Sequence, residues 1–413
     1  MNETGIVSTP LDLDLARGGI VKNRLFKSAM SEQLGDRDHN PEKELVKLYE
    51  IWAEGGIGIS VTGNVMVDRQ ALGEPKNVVL DVESDLAGFA SWAEAGTRNG
   101  TQLWMQLNHP GKQSPSFLSK EPVAPSVVPL IGALKSAFSP PRELNEAEIQ
   151  GIISKFAQSA VLAKKTGFSG VQMHCAHGYL LSQFLSPWHN RREDHWGGTP
   201  EKRMRFPVAV YRAIREAVGN DYPVGLKMNS ADFKNGGFTM EESMDVALTM
   251  QEEGIDLIEI SGGTYENPSM TGHGTRSSDR EAYFIEYADA MRNKLTVPLV
   301  VTGGFRSGPA MEAALTSGVT DMIGLGRPLA VEPDFPNRLI ADPGYVSTLK
   351  RPSTGIRPLD RMAMVDITWY EFQLYRIGQG KKANPDLSAW KAVFQTFWRM
   401  GGHAFKQRRV KGN

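Results

Sequence analysis

Eight short runs of β-branched and aliphatic residues alternate with helical stretches between Leu25 and Gly324. No other feature constrains the fold as much. The runs are Leu25–Met30, Gly58–Thr62, Thr101–Leu107, Gly170–His174, Val224–Asn229, Asp256–Ser261, Pro298–Thr302 and Asp321–Gly324. Helices are predicted over Pro41–Glu54, where Asn40 can cap and Pro41 suits the first turn, and over Ser84–Asn99, Glu146–Thr166 and Glu201–Val218. Another opens at Thr239 with Glu242 three residues on, a capping-box pairing, and two more cover Arg280–Asn293 and Ser307–Ser317. Eight such units predict a (β/α)8 TIM barrel. An open doubly wound sheet is the rival, but no G-x-G-x-x-G follows the first strand.

Two segments depart from the repeat. A Pro/Ser-rich passage, His109–Asn145, follows strand three and exceeds ordinary loop length. It reads as a functional excursion, because a helix–strand unit resumes at once. Residues 1–345 form the expected barrel domain and 346–413 a C-terminal extension with helical turns near Asp360–Ile377 and Leu387–Trp398. Trp369, Tyr370, Phe372 and Tyr375 make that extension too aromatic to stay in water. It is expected to pack on the barrel's own helices or on a neighbouring copy in a homo-oligomer. Arg376 reads as an exposed helix charge, with a remote contribution to the substrate mouth as the alternative, and the basic ending KQRRVKGN as a solvated tail.

Composition narrows the function classes. The 413 residues are 40% hydrophobic and 23% charged, enough for a large core and too apolar for a disordered chain. A net charge of -1 gives no reason to expect nucleic acid or a membrane surface as partner. One cysteine allows no internal disulfide, Cys-rich zinc site or all-cysteine iron–sulfur cluster, and suits a reducing compartment. The first residues lack a signal-peptide pattern, and the apolar-looking stretch Ile57–Val67 is too short for a membrane span. The expectation is a soluble, cytoplasmic protein.

Barrel chemistry sits at the carboxyl ends of the strands, which selects Ser31, Gly63, Gln106, His109, His174, His177, Lys227, Gly262, Gly303 and Arg327. His174 and His177 lie three apart at a strand end, where two imidazoles can donate jointly to one oxygen. Tyr179 adds a phenol able to deliver a proton. Two structural histidines, or a zinc pair, are the alternatives; no third ligand follows at a usual spacing. Gly303, Gly304, Gly326 and Arg327 follow the last two strands, where barrels commonly bind phosphate. Gln106 can donate and accept at a pyrimidine edge, and a buried Lys227 needs an anionic or electron-rich partner. Together these suit a flavin mononucleotide; a sugar-phosphate substrate would use the phosphate loops equally well.

The motifs KNRLFKSAM, MQLNHPGK, HCAHGYLLSQFLSPWHNRREDHWGG with EKRMRFP, VTGGF and GLGRPL resemble the Old Yellow Enzyme family of FMN-dependent ene-reductases, from about Asn23 to Ala341. The resemblance implies noncovalent FMN, with Ser28, Ala29, Met30 and Ser31 against the ring and Gly63 near its edge. It also implies Gln106 at the pyrimidine, Lys227 near N1, and Gly303, Gly304, Gly326 and Arg327 at the phosphate. His174 and His177 would clamp the substrate's activating oxygen, with Tyr179 as proton donor. The implied reaction is ping-pong reduction of an α,β-unsaturated carbonyl compound by NADH or NADPH; another flavin-dependent xenobiotic reduction or an oxidative demethylation is the alternative. Three positions depart from the family pattern: Ser31 stands for Cys or Thr, Lys227 for Arg, and Gln33 for an active-site Tyr found in some relatives.

Overall fold

The structure is a computed structural model and describes residues 5–13, 19–132, 135–262, 284–356, 360, 364–395 and 398. Eight parallel strands form the barrel: β1 (Leu25–Lys27), β2 (Ile59–Val61), β3 (Gln102–Asn108), β4 (Gly170–Cys175), β5 (Val224–Asn229), β6 (Leu257–Ser261), β7 (Leu299–Thr302) and β8 (Met322–Leu325). The barrel closes where β8 pairs with β1, Ile323 opposite Leu25 and Leu325 opposite Lys27. Outside it run α1 (Lys43–Glu54), α2 (Leu86–Gly96), α3 (Glu146–Lys165), α4 (Arg205–Val218), α5 (Met240–Glu253), α6 (Ile285–Arg292), α7 (Gly308–Thr316) and α8 (Phe335–Ala341).

Strand one is shorter than its apolar run. Ser28 still donates to the Leu325 carbonyl at 2.8 Å, but the chain then leaves the sheet. The helix expected from Pro41 starts at Lys43, with Glu42 as its N-cap and no side-chain bond there. Asn40 accepts instead from the Asp85 N–H at 2.8 Å, ahead of α2. The expected Glu201–Val218 helix breaks at Met204 into Pro200–Arg203 and α4. The capping box on α5 is present, Thr239 and Glu242 each accepting from the other's N–H at 3.2 Å.

Side chains alternate across a strand, so the barrel interior is layered. Its lower layer is apolar: Phe26, Ile59, Trp104, Leu257, Val300 and Met322 pack with Leu11 and Val21 of an antiparallel N-terminal hairpin. Trp104 is fully buried and fits because Gly170 and Gly225 flank it; a Cβ at either would lie 2.9 Å from its ring. Two residues further along the strands the interior turns polar, with Ser28, Gln106, Gln172, Lys227, Glu259 and Thr302.

The excursion after β3 contains a short parallel pair, Val123–Ala124 with Arg142–Glu143. Beyond α8, helix α9 (Val365–Gly378) buries Trp369, Leu374 and Ile377, and Gly378 abuts the Glu44 backbone of α1. Residues 389–395 are helical within the expected Leu387–Trp398 segment. The KQRRVKGN ending and the start of the expected Arg280–Asn293 helix lie outside the described residues. No described helix is long and apolar enough to cross a membrane.

Candidate active site

The carboxyl ends of the strands ring a cavity of about 400 Å³, the size of a small-ligand site. Thirteen of the fourteen residues that the resemblance assigns to the site line it: Ser28, Ala29, Met30 and Ser31 on the exit of β1, Gln106 and Lys227 on the floor, His174, His177 and Tyr179 on one wall, and Gly303, Gly304, Gly326 and Arg327 on another. Gly63 does not. It is buried behind the lining, its N–H donating to the Tyr49 hydroxyl (3.0 Å) and to Glu32 (3.2 Å), while Asn64 faces the cavity.

Two other strand-end candidates also turn elsewhere. His109 lines a second cavity of about 280 Å³ beneath the excursion. Its Nδ1 accepts from the Gly111 N–H at 3.0 Å, and burial lowers its imidazole pKa to about 4. Gly262 packs against the Phe284 ring.

His174 is the penultimate residue of β4, and His177 follows in the left-handed region at φ 60°. That conformation is held by the His177 N–H donating to Asn229 Oδ1 at 3.2 Å, and by its Nε2 2.9 Å from Ser261 Oγ. The two imidazole centroids are 5.2 Å apart, and the Tyr179 ring is 4.8 Å from that of His174. Burial, reinforced by the Lys227 charge, holds both imidazoles well below the usual histidine range; His177 lowers His174 further. Both are therefore neutral at pH 7, each with one N–H to donate. His174 Nδ1 is buried with no hydrogen-bond partner among the described residues. Among those residues no three His, Cys, Asp or Glu side chains gather as a metal-ligand set.

The opposite wall suits an anion. Gly303 and Gly304 line it with φ of 137° and 87°, conformations open to glycine. Arg327 stands beside them at the start of a 3-10 turn, Arg327–Ala330, and Arg306 also lines the cavity. The chain beyond β8 completes the rim with Arg351, paired to Asp366 at 2.6 Å, and with Tyr370 of α9.

The departures from the family pattern each have a partner. Ser31 Oγ donates to Glu74 at 2.6 Å. Gln33 donates to Glu371 of α9 at 2.9 Å, tying the β1 exit to the extension. Lys227 is 3% exposed and pairs with the fully buried Glu259 at 2.8 Å. Arg376 donates to the Lys382 carbonyl at 3.2 Å and is not part of the lining. The residues missed from the sequence are Glu259, Thr302, Ser261 and the rim groups of α9. A lone acid in the apolar run Leu257–Ser261 was the available signal for the first.

Residues 10–342 match the model of the NADH:flavin oxidoreductase / NADH oxidase family. The chain is 38% identical over 362 residues to the NADH-dependent flavin oxidoreductase iccE of Talaromyces variabilis, covering 80% of this chain and 87% of that one. A 2-naphthoyl-CoA reductase in complex with 2-naphthoyl-CoA superposes with a TM-score of 0.75 at 27% identity, over 81% of this chain and 52% of that one. The old yellow enzyme homologue of Zymomonas mobilis shares the fold, with a TM-score of 0.68 at 24% identity over 82% and 94% of the two chains. The chain belongs to the NADH:flavin oxidoreductase / NADH oxidase family, and it is an FMN-dependent oxidoreductase that uses NAD(P)H.

Proposed function

We propose that this enzyme reduces the activated C=C bond of α,β-unsaturated carbonyl compounds, with NAD(P)H and alkene using one cavity in turn. The observation that carries the reading is a pair of buried imidazoles lining the cavity beside a tyrosine. FMN, when bound, supplies the hydride that it has taken from NAD(P)H. Gly303, Gly304, Gly326 and Arg327 would hold its phosphate, Ser28–Ser31 the β1 side of the ring, Gln106 its pyrimidine, and Lys227 the N1 edge.

His174 and His177 then bind the substrate's carbonyl oxygen. In the tautomer in which the Ser261 hydroxyl donates to His177 Nε2, the His177 proton sits on Nδ1 and can be offered as a hydrogen bond to that oxygen. The buried His174 Nδ1 gains the partner it otherwise lacks. Two such donors withdraw electrons from the β-carbon and stabilise the charge that gathers on oxygen as hydride arrives. Tyr179 delivers a proton to the α-carbon. The polar floor below and the Arg351 and Tyr370 rim border the cavity in which the reacting carbons would sit.

Replacing His174 or His177 with alanine tests the reading. Anaerobic reoxidation of the reduced enzyme by 2-cyclohexenone should slow by about 100- to 1,000-fold, the usual cost of one oxyanion donor, with reduction by NADH less affected. Double-reciprocal plots should be parallel. Undiminished enone turnover in both variants, or intersecting plots, refutes the clamp or the shared cavity respectively.

A further inference from the structure

Beneath the cavity, five hydrogen bonds tie six interior side chains into one layer. Glu259 Oε1 accepts from Lys227 Nζ (2.8 Å) and from Thr302 Oγ1 (2.8 Å). The Thr302 oxygen also meets Ser28 Oγ at 2.8 Å. Glu259 Oε2 accepts from Gln172 Nε2 (2.8 Å), and Gln172 Oε1 accepts from Gln106 Nε2 (2.8 Å). Ser28, Gln106, Lys227 and Thr302 line the cavity; Glu259 and Gln172 lie behind them, each with no exposed surface.

The direction of this chain follows from Glu259. An ionised carboxylate only accepts. Gln172 must therefore turn its NH2 to Glu259 and its oxygen to Gln106. Gln106 in turn spends one N–H on Gln172, leaving its carbonyl oxygen and one N–H for the cavity. A carboxylate at one end thus selects which of two near-isosteric amide orientations Gln106 presents. The same carboxylate neutralises Lys227, the cation at the cavity floor, in a buried layer where charges act strongly.

We propose that Glu259 is the positioning residue of the flavin site: it sets the amide orientation of Gln106 through Gln172, and its charge offsets Lys227 and so lowers the reduction potential of the bound flavin. The proposal rests on the reading that Gln106 and Lys227 are flavin contacts. Reduction adds negative charge to the ring. A bare Lys227 would favour that charge, and Glu259 opposes it.

Three variants of the holoenzyme separate the parts, each read by dye-equilibrated potential and by flavin released on dilution. Glu259→Gln should raise the two-electron potential by about 30 mV or more, a tenfold change in the reduction equilibrium. Lys227→Met should lower it. Gln172→Met keeps the charge and cuts the link to Gln106, so it should leave the potential within a factor of two in that equilibrium while weakening flavin binding about fivefold, the worth of one hydrogen bond. A changed Lys227→Met potential with an unchanged one in Glu259→Gln overturns the charge role. Unaltered flavin release in Gln172→Met overturns the orienting role. A Lys227→Met potential equal to the parent's removes the flavin contact itself, and the proposal with it.

Discussion

Replacing Gly170 with alanine puts a methyl group into the floor of the barrel. The new Cβ would lie 2.9–3.0 Å from the Cε2, Cδ2 and Nε1 atoms of Trp104, inside ordinary carbon contact by roughly half an ångström or more. The indole has nowhere to go: Gly225 presses its Cζ3 side and Nε1 donates to Gln102 Oε1 at 3.0 Å. Overpacking a filled core costs about 1–3 kcal/mol. Gly170→Ala belongs at the upper end, because three ring atoms are approached together. Gly225→Ala approaches only one ring atom that closely and should cost less. Urea unfolding at fixed excess FMN measures both. Trp104→Phe removes the atoms that clash, so Gly170→Ala should be far cheaper in that background, with a favourable coupling of about 0.5–3 kcal/mol. If Gly170→Ala is as stable as the parent, or costs the same with Phe at 104, the interlocking of the lower layer is refuted.

Other outcomes can be checked separately. His109, His174, His177 and His189 are buried with imidazole pKa values lowered chiefly by desolvation, His109 to about 4. The unfolded chain takes up their protons first, so stability should be full above about pH 6.5 and fall as pH drops from there toward 4; a flat urea midpoint between pH 7 and 5 would contradict this. Gly304→Val forces a β-branched side chain to φ 87° and should lower retained flavin several-fold, as read by the ratio of 450 to 280 nm absorbance. Tyr179→Phe should spare hydride transfer to the enone more than uptake of solvent deuterium at the α-carbon, and equal losses would deny the phenol its proton. Truncation before Val365 uncovers the α1 face against which α9 packs; unchanged melting temperature and turnover would rule out a role for α9 at the rim.

The barrel was legible because its strands are short apolar runs set between helical stretches, and the site because barrels place chemistry at strand ends. That rule names a position but not a direction. His109 and Gly63 both stand at strand ends, yet one turns under the excursion and the other backs onto Tyr49 and Glu32. The polar layer was not legible for a different reason. Glu259 meets Lys227, Thr302 and Gln172 across 32, 43 and 87 residues, separations at which no local pattern links partners. Each residue alone looks like an odd polar group in a strand, and only the stagger of the strands around the barrel, with Gln172 opposite Gly225, Lys227 opposite Glu259 and Glu259 opposite Val300, brings them together. The α9 rim was foreseen as an aromatic surface that must be covered, but not as a wall of the cavity.

The barrel's closure carries one further consequence. The glycines and arginine that suit a phosphate follow β7 and β8, and β8 is the strand whose pairing with β1 completes the ring. Some 300 residues lie between those two edges, so their union pays the largest loop-closure entropy in the sheet. A flavin held as proposed, by Gly326 and Arg327 on one edge and by Ser28–Ser31 on the other, would be a clasp across that seam. Cofactor and strand pairing then reinforce each other, each tighter for the presence of the other. Stripping the flavin should unfasten the cylinder there first, with the Ile323 and Ser28 amides, which bond to Arg24 and Leu325 across the join, exchanging their hydrogens before those of β4 or β5.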